Sequence, residues 1–277
     1  MPTLPTPASA EHAARHAQRH PLEALGRAGY AMKGVLYALV GALALRAAFG
    51  SGDPEGQTGM FQSIADESWG PAVLWILVIG LAAYALWRVA LAALDPEGEG
   101  DDMEGAGKRV FYVVSALAHG GLAYSAYRVV AGAGASEGGT EDRAQTLLGL
   151  PGGQWIVGLL ALGLLGYGVW QFVRAYKASF MDKFRLEGEA ARRRDLVRHA
   201  GQWGLAARGV VYLIAGGFMA QAALRSNPEE AGGLDEALTT LQDGPAGPWL
   251  LGAVAVGLLM YGVYCWVNAA YRRYEGQ

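Results

Sequence analysis

The chain has 277 residues, of which 52% are hydrophobic and 17% are charged, and its formal net charge at pH 7 is -3. An average soluble domain carries about 25% charged residues, so this composition argues against a chain that folds in water. The single cysteine, Cys265, excludes an intramolecular disulfide. Composition therefore favours an integral membrane protein.

Residues 1–25 precede the first long apolar stretch and hold prolines and histidines without a continuous apolar core. A cleaved signal peptide requires such a core. We therefore predict that residues 1–25 form a disordered cytoplasmic tail that stays on the chain.

Six stretches of mostly apolar residues are long enough to cross about 30 Å of hydrocarbon as helices. They lie at residues 28–49, 72–94, 109–131, 154–176, 207–225 and 248–270. The predicted fold class is therefore all-α, an integral membrane bundle of six transmembrane helices.

Lysine and arginine are divided unevenly between the two sides of the predicted membrane. Of the 22 basic residues, the outer segments hold only Arg46, Arg128, Arg143 and Arg225. Positive charge accumulates in the cytoplasmic segments of membrane proteins. We therefore predict that the N- and C-termini are both cytoplasmic.

Two residue patterns each occur three times along the chain. A basic residue followed four positions later by a tyrosine begins the odd-numbered spans, at Lys33/Tyr37, Lys108/Tyr112 and Arg208/Tyr212. A glycine followed four positions later by a tyrosine marks the even-numbered spans, at Gly80/Tyr84, Gly163/Tyr167 and Gly257/Tyr261. Patterns at matching offsets in three copies indicate internal duplication.

The copies form three tandem two-helix repeats, at residues 26–95, 105–178 and 201–274. Because each repeat has two spans, all three enter the membrane in the same direction, and such parallel repeats are related by an axis along the membrane normal. We therefore predict approximate threefold symmetry about that normal. A short amphipathic helix at the outer interface is predicted in each repeat, at residues 60–66, 143–149 and 234–242.

The repeated motifs are best preserved in the third copy, at residues 208–212, 237–241 and 247–264. They resemble the bacterial domain-of-unknown-function 1206 family over nearly the whole chain. In the second copy Arg109 stands in place of the motif glycine and Gln154 in place of the proline. The resemblance implies a bacterial multi-pass membrane protein with three two-helix repeats, and hence the bacterial inner membrane. It implies no activity, substrate or cofactor.

Lys33, Lys108 and Arg208 lie near the cytoplasmic start of their spans. A basic side chain near a helix end usually extends to the lipid headgroups, so we predict that these residues contact anionic lipids of the inner leaflet. Each also shares a helix face with the tyrosine four positions on, which permits a cation-π contact. A role in ligand binding is the alternative.

The connection at residues 179–200 is basic and rich in helix-forming residues. We predict an interfacial helix that contacts anionic inner-leaflet lipids through Arg192, Arg193, Arg194 and Arg198. The same charges also satisfy the rule that places positive residues inside. Lipid accounts for the charge fully, so we predict no nucleic-acid partner.

Six tyrosines are expected to lie at similar depth near the bilayer midplane, namely Tyr37, Tyr84, Tyr112, Tyr167, Tyr212 and Tyr261. A hydroxyl that faces hydrocarbon loses its hydrogen bonds, so these groups should turn inward. They either bond to backbone carbonyls of neighbouring helices or line a polar axis. His119 lies at membrane depth and completes this candidate midplane polar cluster.

The sequence shows no zinc-ligand spacing, nucleophile elbow or phosphate-loop motif, and the predicted spans hold no carboxylate. Haem is disfavoured because His119 is the one histidine within a predicted span. We therefore predict no catalytic residue, cofactor or metal.

The favoured function is that of a structural, assembly or interaction protein without catalysis, which associates with a second copy or with other membrane proteins. The alternative is a channel or facilitator for a small neutral or cationic solute along the tyrosine-lined axis.

Overall fold

The computed structural model describes residues 7–50, 54–94, 102–134, 140–184 and 186–272. Most of these residues are helical. In chain order the helices are α1 (Pro7–Phe49), α2 (Gln57–Ala65), α3 (Gly70–Leu94), α4 (Met103–Val130), α5 (Thr140–Leu148), α6 (Gly153–Lys177), α7 (Glu189–Arg192), α8 (Arg194–Arg225), α9 (Leu234–Asp243) and α10 (Gly247–Tyr271). The all-α class is confirmed for the part of the chain that the structure describes.

Among the described residues, five helices are long and apolar enough to cross a membrane. They are Glu23–Phe49 within α1, followed by α3, α6, α8 and α10. The remaining predicted span, residues 109–131, lies within α4, which has 28 residues. That length corresponds to about 42 Å at ~1.5 Å per residue and is sufficient to cross. α4 is not among the five, and polar residues within its apolar stretch, such as His119, Tyr112 and Ser115, lower its hydropathy.

The N-terminal segment differs from the predicted disordered tail. α1 begins at Pro7, so the described residues from 7 onward are helical, and residues 1–6 lie outside the described part of the chain. Six of residues 7–25 are alanine, which has the highest helix propensity, and Pro7 stands in the first helical turn, where proline is well tolerated. Pro21 lies inside the helix, where proline is unfavourable, and α1 continues through it.

The basic connection at 179–200 also differs from the single interfacial helix that its composition predicts. It forms a 3-10 turn at Ser179–Lys183 and the short helix α7, and α8 then begins at Arg194. Phe180 is 1% exposed and packs edge-on against the ring of Tyr264, with the ring centroids 5.2 Å apart. Burial of this aromatic ring holds the start of the connection against the bundle.

The long helices pair across repeat boundaries. The second helix of each repeat packs most extensively against the first helix of the next, so that α3 lies on α4, α6 on α8 and α10 on α1. The last of these pairs joins the end of the chain to its beginning, which makes the order of pairing cyclic.

Two of the three repeats also pack tightly within themselves, because glycine permits close backbone approach. A Cβ at Gly29 would lie 2.7 Å from the Cα of Tyr84, and a Cβ at Gly204 would lie 2.6 Å from the Cα of Tyr261. These contacts join α1 to α3 and α8 to α10. The equivalent position in the second repeat is Glu104 rather than glycine.

The second repeat is correspondingly open. Gly80 packs against Met32 and Gly257 against Ala207, whereas the equivalent glycine Gly163 of α6 has no atom within 4 Å of an added Cβ. α4 and α6 meet where the rings of Phe111 and Tyr167 are 5.2 Å apart. We call the gap beside this contact, between the α6 face with Gly163 and Tyr167 and the α4 face with Phe111, the repeat-2 cleft.

A short helix lies between the two long helices of each repeat, at α2, α5 and α9, where the sequence predicts amphipathic segments. Their apolar residues face inward. Examples are Phe61 in α2, Ala144 in α5 and Leu238 in α9, each of which is 0% exposed. α9 also contacts the segment before α2, where the carboxylate of Asp235 accepts a hydrogen bond from the backbone N–H of Gly56. Burial, and then the charges of Glu236 and Glu55, raise the pKa of Asp235 to about 6.

The pKa of Asp235 predicts a specific pH dependence of stability. Because the folded chain holds this proton more tightly than the unfolded chain, the contribution of Asp235 to the free energy of unfolding should rise as the pH falls from above 6 toward the ordinary value of 3.8. Melting temperatures measured against pH in a neutral detergent should lose part of this slope in Asp235→Asn. The exposed acid of the same helix serves as control, and an equal loss in Asp243→Asn would contradict the assignment.

Two glycines of α8 allow a matched test of close packing. Gly204→Ala should lower the free energy of unfolding by about 1–3 kcal/mol, because the new Cβ collides with the backbone of Tyr261. Gly217→Ala on the same helix places its Cβ in open space and should change stability by about 0.5 kcal/mol or less. Thermal unfolding in detergent measures both, and equal melting temperatures for the two variants would refute the packing assignment.

Candidate functional site

Among the described residues, four basic side chains are buried in the bundle. The exposed fractions are 4% for Lys33, 9% for Arg88, 5% for Arg208 and 9% for Arg272. Charged side chains at membrane depth are rare and costly, and by default they indicate a functional site. The contacts of these four side chains are therefore the starting point for assigning a function.

The burial of Lys33 and Arg208 differs from the predicted contact with inner-leaflet headgroups. Both side chains lie inside the bundle, because tyrosine rings from neighbouring helices offer them partners closer than the lipid surface. Lys108, the corresponding residue of the second repeat, is partly exposed. The environment of these basic residues thus varies between repeats.

Arg208 is enclosed by tyrosines from four helices. Its Nη2 donates a hydrogen bond of 2.6 Å to the hydroxyl of Tyr212, one turn along α8. Its Cζ lies 4.2 Å from the ring centroid of Tyr261 and 5.3 Å from that of Tyr37. A fourth ring, that of Tyr167, lies 6.0 Å away. Arg208 therefore joins α8 to α1, α6 and α10 through cation-π contacts.

Lys33 and Arg88 share one phenol. The hydroxyl of Tyr84 accepts bonds from Lys33 Nζ at 3.3 Å, Arg88 Nε at 3.0 Å and Arg88 Nη2 at 2.6 Å. Lys33 Nζ also lies 5.9 Å from the ring centroid of Tyr261, the ring against which Arg208 packs. Arg88 Cζ lies 5.2 Å from the ring centroid of Tyr112 in α4. The three cations are thus linked through shared rings, and we call Lys33, Arg88 and Arg208 the central cation cluster.

A second set of contacts lies at the end of α10. Arg272 Nη1 donates a bond of 2.7 Å to the hydroxyl of Tyr30 in α1. Its Cζ lies 5.4 Å from the ring centroids of both Tyr30 and Trp87. These contacts join the end of α10 to α1 and α3.

The six repeated tyrosines adopt an arrangement that differs from both predicted alternatives. The hydroxyls of Tyr84 and Tyr212 accept hydrogen bonds from cations rather than donating them to backbone carbonyls. The rings of Tyr37 and Tyr261 pack edge-on at 4.6 Å, so they contact each other across the centre. Burial is complete or nearly so for four members, Tyr37, Tyr84, Tyr112 and Tyr261, and partial for Tyr167 and Tyr212.

His119 lies beside the central cation cluster. Its ring centroid is 4.5 Å from that of Tyr84, and its Nδ1 lies 2.7 Å from the carbonyl oxygen of Ser115 one turn earlier. Because that carbonyl accepts a bond, Nδ1 carries the proton in this geometry. His119 therefore packs its ring against a phenol of the central cation cluster.

The arginines of the basic connection lie elsewhere. The side chains of Arg192, Arg193, Arg194 and Arg198 are exposed at the surface. The structure therefore separates the basic residues predicted to contact lipid into a buried group, with Lys33 and Arg208, and an exposed group around the start of α8.

Sequence reasoning missed Arg88 and Arg272 as members of the interior. Arg88 lies within the predicted span 72–94, four residues after Tyr84. Lys33 and Tyr37 have the same spacing in the opposite order, with the basic residue first. That spacing is the feature that points to the residue. Arg272 carries no comparable pattern, because it follows the last apolar stretch as an ordinary flanking arginine does.

The central cation cluster has many donors and few acceptors. Lysine and arginine donate hydrogen bonds and accept none, and neither Lys33, Arg88 nor Arg208 forms a salt bridge with a carboxylate of the described residues. The Nε of Arg208 is buried without a partner in this part of the chain. Gln171 of α6 is 0% exposed, and both polar atoms of its amide are likewise unpartnered. A buried site of this kind is chemically suited to an oxygen acceptor with negative charge.

Removing the shared acceptor should weaken the fold measurably. Tyr84→Phe keeps the ring that Lys33 and Arg88 face but deletes the oxygen to which both donate, and it should lower the free energy of unfolding by about 1–3 kcal/mol. The control is Tyr176→Phe, at a side chain 87% exposed, which should unfold as the wild type does. Unfolding of the purified protein in neutral detergent gives both values, and no difference between the variants would exclude an energetic role for this phenol.

Comparison with known proteins agrees with the repeat architecture. The family model described as Domain of Unknown Function (DUF1206) matches residues 28–95, 110–178 and 203–272, one match in each repeat. The chain is 30% identical over 253 residues to Uncharacterized protein YxxB of Bacillus subtilis (strain 168), with 91% of each chain covered. No solved structure matches. The protein is therefore a three-repeat membrane protein of the Domain of Unknown Function (DUF1206) family.

Proposed function

We propose that this membrane protein acts without catalysis, as an interaction protein whose interior binds an oxyanion. The proposal rests on one observation: Lys33, Arg88 and Arg208 are buried around shared tyrosine rings, and no described carboxylate pairs with them. A phosphate or carboxylate group supplies what this site lacks, namely negative charge and oxygen acceptors.

Energetics favour a charged partner over phenols alone. Burying an unpaired cation costs several kcal/mol, and one cation-π contact returns only about 0.5–2 kcal/mol. Three donors converge on the oxygen of Tyr84, which has two lone pairs. An added anion relieves both the shortage of acceptors and the repulsion between neighbouring cations.

The same cations argue against the channel for a neutral or cationic solute. A cation about 6 Å from Arg208 would be repelled by about 3 kcal/mol at an effective dielectric constant of ~20. A neutral solute on the axis would have to separate packed rings, such as those of Tyr167 and Tyr212 at 4.9 Å. We therefore favour binding of an anion over conduction along the axis.

We further infer six spans, with α4 as the third, approximate threefold symmetry about the membrane normal, and both termini in the cytoplasm of the bacterial inner membrane. The cyclic pairing of α3 with α4, α6 with α8 and α10 with α1 supports the symmetry. The concentration of basic residues on one side supports the orientation. In that orientation Arg192, Arg193, Arg194 and Arg198 are exposed toward the inner leaflet, where they attract anionic lipid headgroups.

Cysteine labelling on intact cells tests the number of spans. The one native cysteine, Cys265, is fully buried, and Cys265→Ala gives a background for single cysteines at Glu67, Leu150, Ser179 and Glu229, all of which are exposed. With six spans an impermeant maleimide should label the cysteines at 67, 150 and 229 from outside and the cysteine at 179 only after lysis. With five spans and α4 not crossing, 150 and 229 would be protected and 179 labelled, which would overturn the topology.

Anion-dependent stability tests the proposed function. In a neutral detergent, sodium phosphate should raise the melting temperature of the wild type above its value in sodium chloride of equal ionic strength, because a ligand that binds the folded state stabilises it. Arg208→Gln should abolish this difference. The matched control is Arg225→Gln, at the other end of α8, where the guanidinium pairs with Glu230 at the surface. If phosphate has the same effect on both variants, the central cation cluster is not the anion site.

A further inference from the structure

The central cation cluster can be approached from one direction more easily than from the others. The first and third repeats are closed by the contacts of Gly29 with Tyr84 and of Gly204 with Tyr261. The second repeat lacks this contact, and Gly163 faces open space. The repeat-2 cleft is therefore an opening between two long helices that the first and third repeats do not have.

Tyr167 lies between the cleft and the cations. Its ring is 5.2 Å from Phe111 of α4 on one side and 6.0 Å from the guanidinium of Arg208 on the other. It is partly exposed, whereas its counterparts Tyr84 and Tyr261 are 0% and 4% exposed. The difference in exposure among equivalent residues locates the accessible side of the cluster.

Buried polar groups without a hydrogen-bond partner occur on α6 and α8, the helices that carry Tyr167 and Arg208. Gln171 follows Tyr167 by one helical turn and shares its face of α6. Gly168 of α6 contacts the carbonyl of Gly209, and Gln202 of α8 donates a 3.0 Å bond to the carbonyl of Ala175. Gln171 therefore lies between these two levels, on the face of α6 that packs against α8. Its amide and the Nε of Arg208 are both buried, and neither has a hydrogen-bond partner among the described residues.

We propose that the repeat-2 cleft admits an anionic phospholipid laterally from the bilayer, so that its phosphate reaches Arg208 and Gln171 while its acyl chains remain between α4 and α6. This inference rests on the proposed function and on the six-span topology, and it names the ligand class and the route. The guanidinium of Arg208 binds phosphate oxygens through paired donors, and the amide nitrogen of Gln171 adds another donor.

The walls of the cleft favour a lipid over free phosphate. Leu159 and Leu160 of α6 are 74% and 42% exposed, and Phe111 of α4 is 37% exposed. These apolar side chains match hydrocarbon chains, which bury apolar area against them. A free anion must lose its hydration and gains no apolar contact with these walls, so it should bind more weakly than a lipid that brings its phosphate from the bilayer. Charge complementarity and apolar walls together specify an amphiphile with an anionic head.

The glycines supply variants that leave the cations untouched. Gly163→Leu adds a side chain to the open cleft, one turn from Tyr167 on the same face of α6. Gly217→Leu makes the same change at another open position. Gly217 follows Arg208 by nine residues, which places it on the opposite, lipid-facing side of α8 at ~3.6 residues per turn. The pair separates blockage of the cleft from any general effect of a larger residue.

Native mass spectrometry of delipidated protein, titrated with phosphatidylglycerol or phosphatidylcholine, measures the binding. The wild type and Gly217→Leu should retain one phosphatidylglycerol and discriminate against phosphatidylcholine, and inorganic phosphate at equal concentration should not displace the lipid. Gly163→Leu and Arg208→Gln should bind phosphatidylglycerol about tenfold more weakly or worse. Melting temperatures confirm that each variant is folded, and Arg208→Lys should recover part of the affinity.

The outcomes distinguish this inference from the proposed function. If phosphate stabilises the wild type through Arg208 but Gly163→Leu binds phosphatidylglycerol as the wild type does, the site binds anions and the lateral lipid route is wrong. Equal retention of phosphatidylcholine would also overturn the inference, because no anionic head would then be required. If Arg208→Gln changes neither phosphate-dependent stability nor lipid retention, both proposals fail.

Discussion

The helix arrangement depends on buried cations that have no carboxylate partner among the described residues. Lys33, Arg88 and Arg208 cannot be solvated by water or by headgroups from where they lie, so neighbouring helices must supply oxygen and aromatic faces. The rings come from α1, α3, α4, α6 and α10, and each cation contacts more than one helix. Helices that do not meet at the right depth leave a cation unpartnered, so the polar contacts select one arrangement among many that would bury similar apolar area.

Glycine makes this arrangement attainable, and its loss in one repeat shapes the site. The rings of Tyr84 and Tyr261 reach the cations because Gly29 and Gly204 let paired backbones approach closely. Glu104 occupies the same position in the second repeat, and there the two helices stand apart. Three equal copies would enclose the cations on all sides. In the second repeat this packing glycine is absent, and an opening lies beside a site that has unsatisfied donors.

Much of the architecture was predictable, because hydropathy and duplication are recorded directly in the residue pattern. The five membrane helices, the three repeats and the short helices at α2, α5 and α9 all follow from runs and offsets that need no knowledge of neighbours. That the tyrosines need partners is also predictable, since a phenol at membrane depth needs a hydrogen bond. The partner itself was not predictable. Whether Lys33 extends to a headgroup or turns to Tyr84 depends on how closely α1 and α3 approach, which is a property of packing.

The asymmetry of the bundle bears on whether the cations serve stability alone. If they only joined helices, replacement by apolar residues of similar volume would be neutral or stabilising, since buried charges rarely repay their desolvation. Here three cations share the same tyrosine rings, and the site has fewer hydrogen-bond acceptors than donors. Burying them lowers the stability of the fold more than joining the helices requires. An anion that binds these cations would offset their desolvation cost. The folded chain would then be stable without the ligand and more stable with it. An opening at the one repeat that lacks close packing gives that anion a path, so the departure from symmetry and the surplus of donors have a common explanation.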